Sequence, residues 1–190
     1  MSSASIERMM KIIAAILAGG RSSRMGKSKA LLEFDGVPLV DRMFKTLSEL
    51  KPQIDEIVIS GSLPKRITIE DEKPFSGPVE GIRMVAKSYL GKAETLLVVP
   101  VDLPLLDANS LRPLMSTFEK EKPSALSFLQ NPLPAIFRLD KELIRLCEKH
   151  TSVHGLLERL KASCLAVSNT AFLTNTNTPQ EWAKIIGANL

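Results

Sequence analysis

Short apolar runs alternate with amphipathic stretches along the chain, and this alternation sets the expected fold class. Ile12–Leu17 is a continuous apolar run, as expected of a strand covered on both faces. Helical periodicity follows at Leu39, Val40, Met43, Phe44, Leu47 and Leu50, with Pro38 suited to the first turn. Residues 55–61 read as a second strand ending in a turn, and residues 66–69 as a short third one. A Pro/Gly loop over 72–81 leads into a helix at 79–90, and residues 95–99 form a buried strand that breaks at Pro100. A helix with Leu111, Leu114, Met115 and Phe118 inward comes next, and Asp107 suits its cap. Strands are expected at 124–128 and 135–138, helices at 139–149 and 153–160, and a last strand at 163–167. Thr178, Pro179 and Glu181 form a capping pattern for a final helix at 178–186. Strand–helix alternation of this kind predicts an α/β domain over 11–190, with a mainly parallel sheet and crossover helices on both faces. Residues 1–10 lack a strand pattern and read as an N-terminal extension.

Composition narrows the class. The 190 residues are 44% apolar and 24% charged, a balance that supports a packed core and argues against disorder. The formal charge of +4 suits a protein that handles phosphates, but no block of basic residues is interleaved with aromatics. A nucleic-acid partner is therefore not expected. Lys11 and the apolar residues after it run into Gly19-Gly20-Arg21, which is no cleavage site, and no other apolar run approaches the ~20 residues that span a bilayer. A cytoplasmic protein without a membrane partner is the expectation. Cys147 and Cys164 have no metal-ligand spacing and are expected to be buried thiols in a reducing compartment.

Ligands of such sheets gather at the carboxyl ends of strands. The segment there reads Leu17-Ala18-Gly19-Gly20-Arg21-Ser22-Ser23-Arg24-Met25-Gly26-Lys27-Ser28-Lys29. Gly19 and Gly20 allow close approach of an anion to backbone amides. Arg24 can fork two bonds onto a phosphate, and Lys29 can act as a point charge. Gly26-Lys27-Ser28 also invites a P-loop reading, but the glycine that motif needs five positions earlier is Arg21. A P-loop enzyme would release the γ-phosphate, so the leaving group separates the two readings.

The same segment resembles the signature loop of the MobA-type nucleotidyltransferases. The resemblance continues through residues 31–39, Gly77-Pro78-Val79-Glu80-Gly81, Pro100-Val101-Asp102-Leu103-Pro104, Pro134-Ala135-Ile136-Phe137, Ser152-Val153 with Leu156-Leu157, and Asn175-Thr176-Asn177-Thr178-Pro179. These pieces follow the family's order across nearly the full chain. Two positions depart from its pattern: Ser28 precedes the lysine where an acidic residue or proline is usual, and Val101 replaces the cysteine before the aspartate. Neither removes a phosphate- or metal-binding group.

The resemblance implies a Rossmann-like three-layer nucleotidyltransferase fold. It also implies transfer of GMP from GTP to the terminal phosphate of Mo-molybdopterin, with Mg²⁺ as cofactor and pyrophosphate as the leaving group. An acceptor phosphate is already ionised at neutral pH, so no general base is required, in keeping with only two histidines, His150 and His154. Arg24, Lys29 and Asp102 are the implied catalytic residues, Asp102 also holding the metal. Leu17, Ala18, Gly19, Gly20, Lys29, Asp71, Gly77, Gly81 and Asp102 would bind the nucleotide, with Asp71 and the Gly77 to Gly81 stretch near the base and ribose. Asn175 and Asn177 would face the acceptor. Transient contact with other proteins of molybdenum-cofactor biosynthesis is implied as well. Molybdopterin cytidylyltransferases and adenosylcobinamide-phosphate guanylyltransferase share the first loop and remain alternatives, as does a nucleotide-binding regulator without turnover.

Overall fold

The computed structural model describes residues 11–19, 28–72 and 76–175. The expectations for residues 1–10, for the helix at 178–186, and for Gly20, Arg24 and Asn177 lie outside them. In chain order the elements are β1 (Ile12–Leu17), β2 (Glu33–Phe34), β3 (Val37–Pro38), α1 (Leu39–Ser48), β4 (Glu56–Ser60), α2 (Pro78–Tyr89), β5 (Thr95–Pro100), α3 (Ala108–Glu121), β6 (Ala125–Phe128), β7 (Asn131–Arg138), α4 (Lys141–Cys147), α5 (Val153–Arg159) and β8 (Ser163–Leu165). Single 3₁₀ turns stand at Lys29–Leu31 and Ala171–Leu173.

Six strands form one sheet in the order β4-β1-β5-β7-β6-β8. β1 pairs in parallel with β4 on one side and β5 on the other, and β6 pairs in parallel with β8. β7 runs against both β5 and β6, because only Leu129 and Gln130 join it to β6 and a connection that short can form only a hairpin. The sheet is therefore mostly parallel, as the alternation of elements predicts, with one reversed strand. Side chains of successive strand residues point to opposite faces. Ala14 and Ile16 of β1 join Leu97, Val99 and Ile136 beneath α1 and α3. Ile13, Ala15 and Leu17 join Leu96, Val98 and Phe137 beneath α2, α4 and α5. Burial on both faces explains the unbroken apolar runs of β1 and β5.

Several local expectations change. Residues 66–69 do not form a strand: Ile69 makes a single bridge to Ser60, while Ile67 is 99% exposed. Pro38 stands just before α1, in extended conformation, and not inside its first turn. The β2–β3 hairpin turns through Asp35 and Gly36, both at positive φ; an Asp-Gly pair is a strong hairpin signal that the helical pattern following it obscures. Asp107 does cap α3, its carboxylate accepting from Ser110 N at 2.8 Å. Cys147 is buried, but Cys164 is exposed, contrary to expectation, because β8 lies at the edge of the sheet and is only partly buried. Among the described residues no helix is long and apolar enough to cross a membrane.

Candidate active site

β1 is the point at which strand order reverses, since the chain passes from it to β4 on one side and then to β5 on the other. A crevice opens outside the carboxyl end of such a strand. Backbone hydrogen bonds hold its rim together: Ala18 N donates to Ser60 O at 2.9 Å, and Val101 N donates to Leu17 O at 3.1 Å. Three neighbouring parallel strands thus deliver Ala18-Gly19, Ser60-Gly61 and Val101-Asp102 to one edge. The cleft there has a volume of about 420 Å³ and is lined by Leu17, Ala18, Gly19, Lys29, Asp102 and Asn175. Pro78, at the amino end of α2, and Asn131, Pro132 and Leu133, at the start of β7, complete its walls.

Lys29 and Asp102 meet in this cleft. Lys29 Nζ donates to Asp102 Oδ2 at 3.0 Å, with the two side chains only 22% and 17% exposed. Each is set by a buried neighbour. Ala30 anchors the 3₁₀ turn that carries Lys29, and Val101 and Leu103 pin the turn after β5 on either side of Asp102. A cation and a carboxylate held together at a sheet's carboxyl edge are the groups that could hold a polyanion and an accompanying metal ion.

Asp71 stands on the rim. Its Oδ2 lies where a side-chain carbon added to Gly19 would meet it at 3.7 Å, while its buried Oδ1 has no hydrogen-bond partner among the described residues. Burial raises the Asp71 carboxyl above its ordinary range, repulsion from Glu80 adds to this, and attraction to Arg83 partly offsets it. Gly77 precedes α2, its carbonyl accepting from Glu80 N, and it does not line the cleft. Gly81 lies beneath the cleft floor, where a side chain would come within 2.4 Å of Ser60 Oγ and 3.2 Å of Leu17 Cδ2. Lys29, Asp102, Leu17, Ala18, Gly19 and Asn175 are therefore brought together directly, Asp71 adjoins them through Gly19, and Gly77 and Gly81 shape the helix behind.

Gly61 carries a structural role that the sequence reading missed. Its φ is +119°, and a side chain on it would sit 2.6 Å from Gly19 N, so only glycine lets the end of β4 pass this close to β1. Its position directly after a buried strand was the available signal. Asn131 and Pro132 were missed as well: they reach the cleft only because β7 is reversed and starts at the edge where β1 and β5 end. An ion-pair network running along α2 was equally invisible. Arg83 pairs with Glu80 and with Glu72, and Lys87 also holds Glu72. Hydrogen bonds from Lys87 and then from Arg83 pull the Glu72 carboxyl down to about 2.

The fold and the cleft define an α/β nucleotidyltransferase architecture. It is shared with the molybdopterin-guanine dinucleotide biosynthesis protein A of Archaeoglobus fulgidus, at a TM-score of 0.74 and 20% identity over 94% of this chain and 100% of that one. The chain belongs to the MobA-like NTP transferase domain family, whose sequence model matches residues 14–167 and so takes in both Lys29 and Asp102. Among its relatives, the molybdenum cofactor guanylyltransferase of Xanthomonas euvesicatoria pv. vesicatoria is 36% identical over 92% of this chain and 94% of the relative. The probable molybdenum cofactor guanylyltransferase of Carboxydothermus hydrogenoformans is 26% identical over 94% and 96% respectively.

Proposed function

We propose that this protein transfers GMP from GTP to the terminal phosphate of molybdopterin, giving molybdopterin guanine dinucleotide and pyrophosphate in the cytoplasm. The observation that carries the reading is the Lys29–Asp102 pair at the strand-order switch point, in a chain matched almost end to end by relatives bearing that name. An oxygen of the acceptor phosphate attacks the α-phosphorus of GTP, the bond from that phosphorus to the bridging oxygen breaks, and pyrophosphate departs with the electron pair. The attacking oxygen carries no proton to remove, so the work of the site is to bring anions together and to hold the charge that grows on the leaving group.

Lys29 holds its ammonium against the triphosphate, and Gly19, which lines the same cleft next to Ala18, offers its backbone amide to a phosphate oxygen. Gly20 and Arg24 extend that loop by the same sequence argument. Asp71 offers the carboxylate oxygen beside Gly19, Oδ2, to donors on the base or ribose, while Asn175, with Asn177 by the motif order, would serve the acceptor. Among the described residues no group of three or more His, Cys, Asp or Glu side chains gathers into a metal cage. A single carboxylate, Asp102, fits Mg²⁺, which takes one or two protein carboxylates and fills its remaining positions with phosphate oxygens and water. When bound, Mg²⁺ would neutralise charge on the transferring and leaving phosphates.

Thermal unfolding with GTP, CTP and ATP, each with and without Mg²⁺, tests the nucleotide. A ligand of the folded state raises the melting temperature with its saturation, and GTP with Mg²⁺ is expected to raise it most. Equal shifts from all three would defeat the guanine assignment, and a larger shift from CTP would favour cytidylyl transfer. Stoichiometric pyrophosphate release from GTP in the presence of molybdopterin tests the reaction, whereas release of orthophosphate would contradict it.

A further inference from the structure

Arg83 is buried, its side chain 8% exposed, and it makes three charged hydrogen bonds from one guanidinium. Nε and Nη2 each donate to Glu80 at 2.8 Å, and Nη2 also donates to Glu72 at 2.7 Å. Glu80 is buried as deeply, and Lys87 grips the other oxygen of Glu72 at 2.7 Å. Buried ion pairs of this kind return little net stability, because desolvation consumes most of the attraction, and apolar side chains of similar volume would serve the fold as well. Apolar side chains could not fix the direction of a surface carboxylate such as Glu72.

Glu72 is the residue after Asp71. On its other side, the chain is tied to β4 at Ile69, which donates to Ile59 O at 2.8 Å and accepts from Gly61 N at 2.9 Å. Asp71 therefore hangs between two anchors two residues or fewer away, one a backbone bridge and the other the Arg83 fork. Asp71, Glu72 and Glu80 place three carboxylates around one guanidinium, and without it their repulsion would turn Asp71 outward.

We propose that Arg83 is a positioning residue for the nucleoside end of the site: through Glu72 and Glu80 it sets the Asp71 carboxylate over Gly19. This rests on the guanylyl reading above, in which Asp71 meets the base or ribose. The orientation of Asp71 then belongs to α2 as much as to its own loop, and substitutions on α2 that never touch the nucleotide tune its affinity.

The test compares Glu72→Gln, Arg83→Lys and Arg83→Met, each alone and combined with Asp71→Asn. Calorimetry measures Kd for GTP and for inorganic tripolyphosphate, both with Mg²⁺, and steady-state assays give KM and kcat. Glu72 is half exposed, so Glu72→Gln keeps the fold even where Arg83→Met does not. Each single substitution is expected to raise Kd and KM for GTP roughly 3–10-fold, a range typical of coupled neighbours, with Arg83→Lys the mildest. Tripolyphosphate, which does not reach Asp71, is expected to bind all variants alike, and in the Asp71→Asn background the strut substitutions should add nothing further. The assignment is overturned if Glu72→Gln binds GTP like the unaltered chain, if tripolyphosphate weakens in parallel with GTP, or if the effects multiply in full with Asp71→Asn. Failure of the guanylyl reading would look different: the unaltered chain itself would then not bind GTP.

Discussion

Lys29 Nζ sits 3.0 Å from Asp102 Oδ2, an ion pair between residues 73 positions apart that closes one wall of the cleft. Neither residue lies in a strand; each belongs to the turn or loop that follows one, and the pair exists because β1 and β5 run side by side and end together.

Removing either partner should cost catalysis far more than stability. An ion pair near the surface contributes about 1 kcal/mol or less, which in a chain of this size moves the melting temperature by only ~2–4 °C. Lys29→Ala and Asp102→Asn are expected to lower kcat/KM by about 10²–10³-fold, as loss of a charge-stabilising group does. Lys29→Ala should also abolish most of the thermal shift that GTP with Mg²⁺ produces. Paired melting curves and initial rates check both statements. Unfolding by 10 °C or more in either variant would make the pair structural.

Gly61→Ala should act in the opposite way, through the fold. The φ of +119° strains any side-chain-bearing residue, and the new methyl would meet Gly19 N at 2.6 Å. Strain of this kind costs roughly 1–3 kcal/mol before the backbone clash is added, so a fall in melting temperature of about 5–10 °C is expected. GTP affinity should drop with it, since Gly19 is the atom group displaced. Differential scanning calorimetry decides, and an unchanged melting temperature would refute the close approach.

Asp71 and Glu72, adjacent in sequence, should tilt stability with pH in opposite directions. The Asp71 carboxyl is raised in the folded state, so ionising it works against folding once pH climbs past its unfolded value of 3.8. Asp71→Asn should therefore stabilise the unliganded protein at neutral pH, and the gain should vanish below that value. Glu72 is lowered from 4.5 to about 2, so its contribution is in place above pH 4.5 and fades as pH falls toward 2. Glu72→Gln should consequently lower stability at neutral pH and converge with the unaltered chain in acid. Denaturant midpoints across this range give both slopes.

The two cysteines should differ in reactivity. Burial pushes the Cys147 thiol up to about 12, leaving almost no thiolate near neutrality. Cys164 is exposed on β8. Iodoacetamide at pH 8 is expected to modify one thiol in the native protein, located by peptide mass spectrometry at Cys164, with Cys147 reacting only after denaturation. Rapid native labelling of Cys147 would contradict its burial at the end of α4.

The fold class was legible because burial on both faces writes an unbroken apolar run for β1 and β5, and because helices show their period in the spacing of Leu39, Met43 and Leu47 or of Leu111, Leu114 and Phe118. Lys29 and Asp102 could be named from their chemistry and from the family's motif order. The false strand at 66–69 shows the limit of such reading: Arg66 to Ile69 has the alternation of a strand, yet only Ile69 finds a partner, and Ile67 stays in solvent.

Local chemistry, element type and the identity of the charged groups were thus determined by the amino-acid order, since propensity, periodicity and charge act over a few neighbours. Tertiary structure alone decided that β7 is reversed and brings Asn131 to the cleft, that Gly61 yields to Gly19, and that Arg83 gathers Glu72 and Glu80 beside Asp71. Those relations join residues from different elements across strand crossings and helix packing, and contacts of that range leave no period or spacing along the chain from which to read them.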